Sequence, residues 1–416
     1  MPNTIKSHAF FVGNLPHIID LKSITSAFGA PVIEDSKNYD FLCSYFHKSH
    51  IDAMIEAKSQ VRPSFLDSVH HYQIVIDKLY PLSFFNSKTG KLDVLDGYKM
   101  ILKGLHIYCF PLGITLFAIE IDDSGSSLND LTFAHSKIRE LPSSWDSFPD
   151  EFKSALSPIK TLVPNDNVKD LLTRGNKLKT FQIALLDSED WTEEHLYEIA
   201  TCSPIGIVGT THSLAPSDDY FYSIIKDNTI APFRDWKSMS LMDSFTALIK
   251  NEGSFDADKE NRWRGDEIRW INSYYRLIYL RVLVQKTFLS SRNDQYRLNQ
   301  ASTHLMRDLT RMEQYYFYDN ISYNFLPDIL NKQMGKGMGI NEEREELSLQ
   351  IKESESKNTD TLTGIVSAFA IFSIAYDFYG ILKAITNNDT PVIPFVIGIV
   401  AALSILYIII HLARRR

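Results

Sequence analysis

The distribution of apolar residues along this chain is uneven, and its C-terminal end is the most apolar part. Leu362–Leu382 carries one ionisable residue, Asp377, and Pro391–Leu412 carries only His411. At 1.5 Å rise per residue, helical runs of 21 and 22 residues reach about 30 Å, the thickness of a bilayer core. Eight mostly polar residues, Lys383–Thr390, separate the runs and are short enough for a tight turn. The pattern predicts a two-helix transmembrane hairpin behind a large folded body.

Upstream, the periodicity changes twice. Ala9–Val12 reads as a strand ending at Gly13-Asn14, Leu21–Phe28 has helical spacing, and the aromatic segment Tyr39–Phe46 reads as a strand. Tyr72–Ile76 is a further strand. Ile101–Phe110 and Ile114–Ile121, joined by Pro111-Leu112-Gly113, form a predicted hairpin, and Leu131–Leu141 a helix. Residues 145–176, with their Pro, Asp and Asn, are a candidate internal boundary of an α/β domain over 1–233. Beyond it lie a strand at Thr180–Leu186, a helix opening at Thr192 and a strand at Ile205–Val208.

From Arg234 the pattern predicts helix, so that 234–340 becomes a helical stalk region. Ile268, Ile271, Tyr275, Ile278, Val282 and Leu289 follow a three-four alternation, and a second helix is expected over Asp294–Tyr318. Met334–Gly339 is a break. Asn341 can cap a helix that meets no Gly or Pro before Gly364, so 341–382 reads as one helix, half stalk and half first span. Residues 383–390 are then an outer loop, and 391–416 a second span with a basic tail.

Charge sets the expected orientation. Arg414, Arg415 and Arg416 follow the second run, and Lys352 and Lys357 precede the first, which by the positive-inside rule places both flanks in the cytoplasm of an inner membrane. The N-terminus lacks the apolar region of a signal peptide. The three cysteines, Cys43, Cys109 and Cys202, are scattered and suit a reducing compartment. A net charge of −8 argues against DNA as a partner.

One line along the first span draws attention: Lys352, Ser356, Thr359, Thr363, Ser367, Ala370, Ile374, Asp377 and Ile381. Its members are mostly small or polar. Such a stripe packs helices closely, or lines a water-filled pore in a symmetric oligomer. Asp377 favours the pore, because a carboxylate within a span is costly and usually faces water or a partner. Upstream, Asn341–Asp360 holds seven acidic residues against three basic ones, a net charge of −4 per subunit that would concentrate cations.

This arrangement resembles the CorA family of divalent-cation channels, in which an α/β cytoplasmic domain leads through a long α-helical stalk into a pore-lining span, an outer loop and a second span. The family's Tyr-Gly-Met-Asn signature is met here by Tyr379-Gly380-Ile381-Leu382, which matches in its first two positions only. Leu382 cannot coordinate a hydrated ion, which speaks against magnesium selectivity. The chain also resembles a divergent CorA-like subset that acts as the membrane effector of type III CRISPR defence. That resemblance implies a homo-oligomer of four or five subunits, a cation as permeant species and activation by a nucleotide second messenger such as an S-adenosylmethionine–AMP conjugate. A constitutive divalent-cation transporter and a membrane-tethered RNA- or nucleotide-binding protein are the alternatives.

For the last of these, Phe10–Leu15 and Lys37–Leu42 partly resemble the two signatures of RNA-recognition motifs. They would put Phe11, Tyr39 and Phe41 on one base-stacking platform, against the plainer reading of strand packing. His47 and His50 lack a third metal ligand, and His70 and His71 should point to opposite faces of a strand. No His-Glu-x-x-His, Cys-x-x-Cys, phosphate loop or nucleophile elbow occurs, so the residues point to no enzyme and to no resident metal.

Overall fold

A computed structural model describes residues 4–15, 19–58, 60–86, 91–123, 126–141, 145, 148–162, 177–186, 192–202, 217–233, 236–241, 244–250, 268–297 and 302–353. It also describes residues 364, 366, 367, 370, 373, 374 and 377. The chain divides into two compact units, Met1–Arg292 with Asp308–Glu343, and Asn293–Arg307 with Arg344–Arg416.

The first unit is built on strand β1 (Thr4–Asn14). Its alternation sends Ala9 and Phe11 to one face and Phe10 and Val12 to the other, and all four are buried. A strand buried on both faces needs neighbours on both edges. β1 pairs antiparallel with β4 (Ile114–Asp123) and with β5 (Lys179–Leu186). Outward from β4 lie β3 (Lys91–Phe110) and β2 (His70–Asn86). Outward from β5 lie β8 (Ser244–Lys250), β7 (Trp236–Leu241) and β6 (Thr229–Phe233), giving one sheet in the order β2-β3-β4-β1-β5-β8-β7-β6. The β5–β8 pair is parallel and the others are antiparallel. The strands on either side of 145–176 thus share one sheet.

The first face carries the main apolar core. Ala9, Phe11, Leu105, Ile107, Ile119 and Ile121 from the strands meet Ile24 and Phe28 of α1 (Leu21–Phe28). Leu131, Ala134 and Ile138 of α4 (Leu128–Arg139) and Phe152 of α5 (Asp150–Ala155) close the same core. So do Ile159 of α6 (Ser157–Lys160), Leu196 and Ile199 of α7 (Glu193–Thr201), and Ile225 of α8 (Asp218–Asn228). Thr192 caps α7 in a capping box with His195, and Ser127 caps α4 by accepting from the Asp130 N–H. The hairpin expected at Pro111-Leu112-Gly113 is present, with Leu112 and Gly113 both at positive φ (62° and 74°).

Two expected elements differ. Tyr39–Phe46 is not a strand: α2 (Ser36–Tyr45) occupies it, followed by α3 (Lys48–Met54). Asp35 caps α2 by accepting from the Asn38 N–H, and Tyr39, Leu42 and Phe46 are buried at helical spacing while Phe41 faces out. Helix does not begin at Arg234 either, because β7 and β8 fill 236–241 and 244–250. β8 is buried throughout Ser244–Ile249, and a strand covered on both sides loses the alternation that would betray it.

The second face is covered by α9 (Ile268–Arg297). Trp236 meets Tyr275, Phe181 meets Tyr279, and the guanidinium of Arg276 lies 4.6 Å from the Phe10 ring centroid. α10 (Ser302–Tyr315) and α11 (Phe325–Gly337) follow, then a turn at Gly339 (φ 65°) and a helix, α12, over 340–353. Arg281, in the middle of α9, is wholly buried. Its Nη1 donates to the carbonyl of Tyr315 (3.3 Å) and to Nδ1 of His50 (3.3 Å), and its Nη2 donates to the carbonyl of Tyr318 (3.4 Å). Gln285, one turn on, donates to the carbonyl of Tyr316. The Tyr315 carbonyl is one of the orphan groups at the C-terminal end of α10, where a cation is favoured by the helix dipole, and Tyr316 and Tyr318 lie in the segment just after it.

The expected CorA-like build, with a stalk helix over 341–382 entering a two-helix transmembrane hairpin, is corrected. Among the described residues no helix is long and apolar enough to cross a membrane. α9 is long enough at 30 residues but carries Arg276, Arg281, Lys286 and Arg292. α12 is polar, with Glu342, Glu343, Arg344, Glu345 and Glu346 in its first two turns. Residues 354–363 and 378–416 lie outside the described residues, as does the strand expected at Ile205–Val208.

Replacing Arg281 by Ala should remove at least about 3 kcal/mol of stability, because two or more charge-assisted hydrogen bonds are lost and buried carbonyls are left without a donor. Gln285→Ala should cost about 1–3 kcal/mol for its single carbonyl. Urea unfolding followed by circular dichroism measures both, and a loss below about 0.5 kcal/mol for Arg281→Ala would mean the α10 end is held by something else.

Candidate functional site

The second face carries a line of ionisable side chains beneath and beside α9. Register dictates it: His8 lies opposite Asp122, Phe10 opposite Glu120, and Ala118 of β4 opposite His106, so alternate residues of β1, β4 and β3 share this face. Asp122 bonds to Nδ1 of His8, whose Nε2 lies 3.4 Å from Glu120. The other oxygen of Glu120 accepts from Nε2 of His106 at 2.8 Å, and Nδ1 of His106 is 3.0 Å from Nε2 of His71. Tyr108 stacks on His71 at 4.4 Å with an interplanar angle of 7°. Gly104 sits where a Cβ would press on the Ile74 carbonyl at 2.7 Å, and the space is bounded by Glu120 and His106 at 3.7 Å.

The electrostatics follow from burial and pairing. Burial alone would raise the Glu120 carboxyl, but the hydrogen bond from His106 and the positive charge around it outweigh this and hold it at about 2. Burial pushes His106 down, against the pull of Glu120. His71 is pushed well down by burial, by His106 and by Arg276. Neutral His106 therefore carries its proton on Nε2 toward Glu120 and accepts from His71 through Nδ1. Burial raises the Tyr108 hydroxyl to about 12.

This line is a chain of pairwise hydrogen bonds rather than a converging ligand set. Among the described residues no group of three or more His, Cys, Asp or Glu side chains is arranged to hold a metal ion. On the first face, Oδ2 of Asp123 accepts from Ser7 and from His135, each at 3.0 Å. The carboxylate stands between the hydroxyl and the imidazole, an order that gives Ser7 no base and makes the trio a packed polar contact. Cys109 and Cys202 are buried free thiols raised by burial, Cys109 to about 12.

The residues singled out from the sequence fall elsewhere. Phe11 lies on the first face, fully buried against the His135 ring. Tyr39 is buried on α2, donating its hydroxyl to Asp52 at 2.6 Å, and Phe41 is 43% exposed on the same helix. The three aromatics do not form one platform. His70 and His71 do point apart, to Glu56 and to His106. Of the stripe, Ser367, Ala370, Ile374 and Asp377 are helical and exposed on the single chain; Ser356, Thr359, Thr363, Tyr379, Gly380 and Ile381 lie outside the described residues. The line of histidines and carboxylates was missed. Its trace in the sequence is a shared period of two in His8-x-Phe10, His106-x-Tyr108 and Glu120-x-Asp122.

No family model, curated protein or solved structure matches this chain.

A pH dependence follows. His50, like His71 and His106, is held neutral by burial, with Arg281 adding to the effect. A base whose folded pKa is lowered leaves the unfolded chain to take the proton first. The stability it protects is complete above about pH 6.5 and falls on acidification by up to about 1.4 kcal/mol per pH unit per histidine. Glu120 adds a term of the same direction lower down, present above about pH 4.3 and lost as pH falls toward about 2. Urea midpoints at pH 7.5, 6.5 and 5.5 should fall with pH, and His50→Gln should flatten the slope by one residue's share. A wild-type midpoint that does not move over this range would refute the assignment of neutral buried histidines.

Proposed function

We propose that this chain is a subunit of a homo-oligomeric ion channel that acts at a membrane and is gated by its α/β body, with a nucleotide-type messenger as activator in an antiviral, CRISPR-linked role. The observation that carries the reading is the composition of 362–412, two apolar runs separated by a short, mostly polar segment. Its support at residue level is the exposure of Ser367, Ala370, Ile374 and Asp377 on one chain, with Val366 (61%) and Ile374 (68%) among the exposed apolar residues. Apolar side chains left in the open call for cover by lipid or by other copies of the chain. The acidic residues that follow Asn341 favour cations over anions at the approach.

In this reading Asp377 supplies a ring of carboxylates and Ile374 an apolar constriction one turn away, which gates by dewetting. Asp377→Asn should lower cation flux or its preference over anions. Ile374→Ser should leak without activator, because a wetted constriction no longer closes. Ion flux into proteoliposomes at matched protein density measures both. Equal flux from the wild type and the two variants would remove conduction from this stripe, and failure of the protein to enter liposomes would remove the membrane reading altogether.

A further inference from the structure

α9 turns two arginines toward its neighbours, Arg281 wholly buried and Arg276 partly buried. Arg281 spends its donors on two carbonyls and His50. Both have a buried Nε without a hydrogen-bond partner, but Arg276 lies against the Phe10 ring and, among the described residues, no carboxylate reaches it within ion-pair distance. On the same face Tyr108 is 5% exposed, and its hydroxyl also has no partner. His71 stacks on Tyr108 and gives its Nε2 to His106, which leaves its Nδ1 uncommitted. Both oxygens of Glu120 are taken by His106 and His8, and Glu34, whose charge also reaches Tyr108, accepts from Asn38. A buried Nε–H and a buried hydroxyl are costly unless an acceptor meets them.

We propose that Arg276 and Tyr108, with His71 beside them, form a binding site for an oxyanion, a phosphate group in particular, on the second face of the sheet under α9. A planar guanidinium whose Nε–H is unspent offers the fork that phosphate oxygens accept, and a phenolic O–H adds a third donor. His71 can add a fourth donor from Nδ1 once an anion beside it favours its protonation. The site gives the α/β body a ligand whether or not the chain conducts, since binding is read on purified protein without flux.

The test is calorimetric titration of the full-length protein with inorganic phosphate and, separately, with AMP, at ionic strength matched with sodium chloride. Saturable binding that Tyr108→Phe and Arg276→Gln each weaken about tenfold or more is the expected result. Tighter binding of AMP than of phosphate assigns the group to a nucleotide, and equal affinities assign it to the free ion. No saturable binding of either probe by the wild type, or the same affinity in both variants, overturns the site. Tyr108→Phe removes one oxygen from a stacked ring, so it keeps the test decisive if Arg276→Gln does not fold.

Discussion

The fold depends on how α9 is held against the second face of the sheet. Apolar contact does much of this work: Tyr279 on Phe181, Tyr275 on Trp236, and the buried run Leu280, Val282, Leu283 and Val284. Apolar burial is non-directional, however, and would tolerate α9 in several rotations. Arg281 removes that freedom. A wholly buried guanidinium is acceptable only where its donors meet acceptors, and the carbonyls at the end of α10 are the acceptors within reach. Rotating or sliding α9 by one residue would strand both the charge and the carbonyls. The same contact orders the segment that follows α10: Tyr316 donates its hydroxyl to the Ala53 carbonyl of α3, and Arg281 stacks 4.1 Å from Tyr318.

Once α9 is fixed, the polar line on the sheet becomes intelligible. His8, Glu120, Asp122 and His106 could not sit in a largely buried layer unpaired, and they pair with one another in a chain that runs along three strands. The first face has no such problem. It is filled by apolar side chains from six helices, and Ser7 and His135 both bond there to the carboxylate of Asp123. The two faces of one sheet therefore do different things. The first supplies most of the burial on which stability rests, and the second holds the longer line of ionisable groups.

What could be read from the sequence divides along the same line. β1, α1, the β3–β4 hairpin, α4, β5 and the cap at Thr192 show local signals that agree with their environments, so periodicity and turn chemistry find them. α2 reads as a strand in the sequence because Tyr39-x-Phe41-x-Cys43 alternates by chance, while the Asp35 cap that decides for helix is a single residue. β8 was missed because a strand covered on both faces has no alternation. The site was illegible for a deeper reason: it is assembled from β1, β2, β3, β4 and α9, and only the strand register brings His8, Glu120, His106 and His71 into line. The bulge between Leu102 and Gly104 illustrates the point, since no residue type announces the shift that places Gly104 beside Glu120.

α9 also links the second face to the segment that starts α12. Arg276 and Lys286 are ten residues apart on one continuous helix, about 15 Å along its axis. Lys286 donates to the Met338 carbonyl at 2.9 Å and pairs with Glu343 at 2.5 Å, gripping the turn at Gly339 from which α12 departs. Gly337, just before that turn, lies so close to the Ser240 carbonyl that a Cβ would approach it to 2.7 Å, so the chain there is seated on β7 by contact as well as by charge. A continuous hydrogen-bonded helix does not absorb a displacement at one end by local bending without a proline, a glycine or a bulge, and α9 contains no glycine or proline. Whatever occupies the face at Arg276 therefore acts on an element whose other contacts fix the Met338–Glu343 turn. A displacement carried along α9 reaches the carbonyls held by Arg281 and then, through Lys286, that turn.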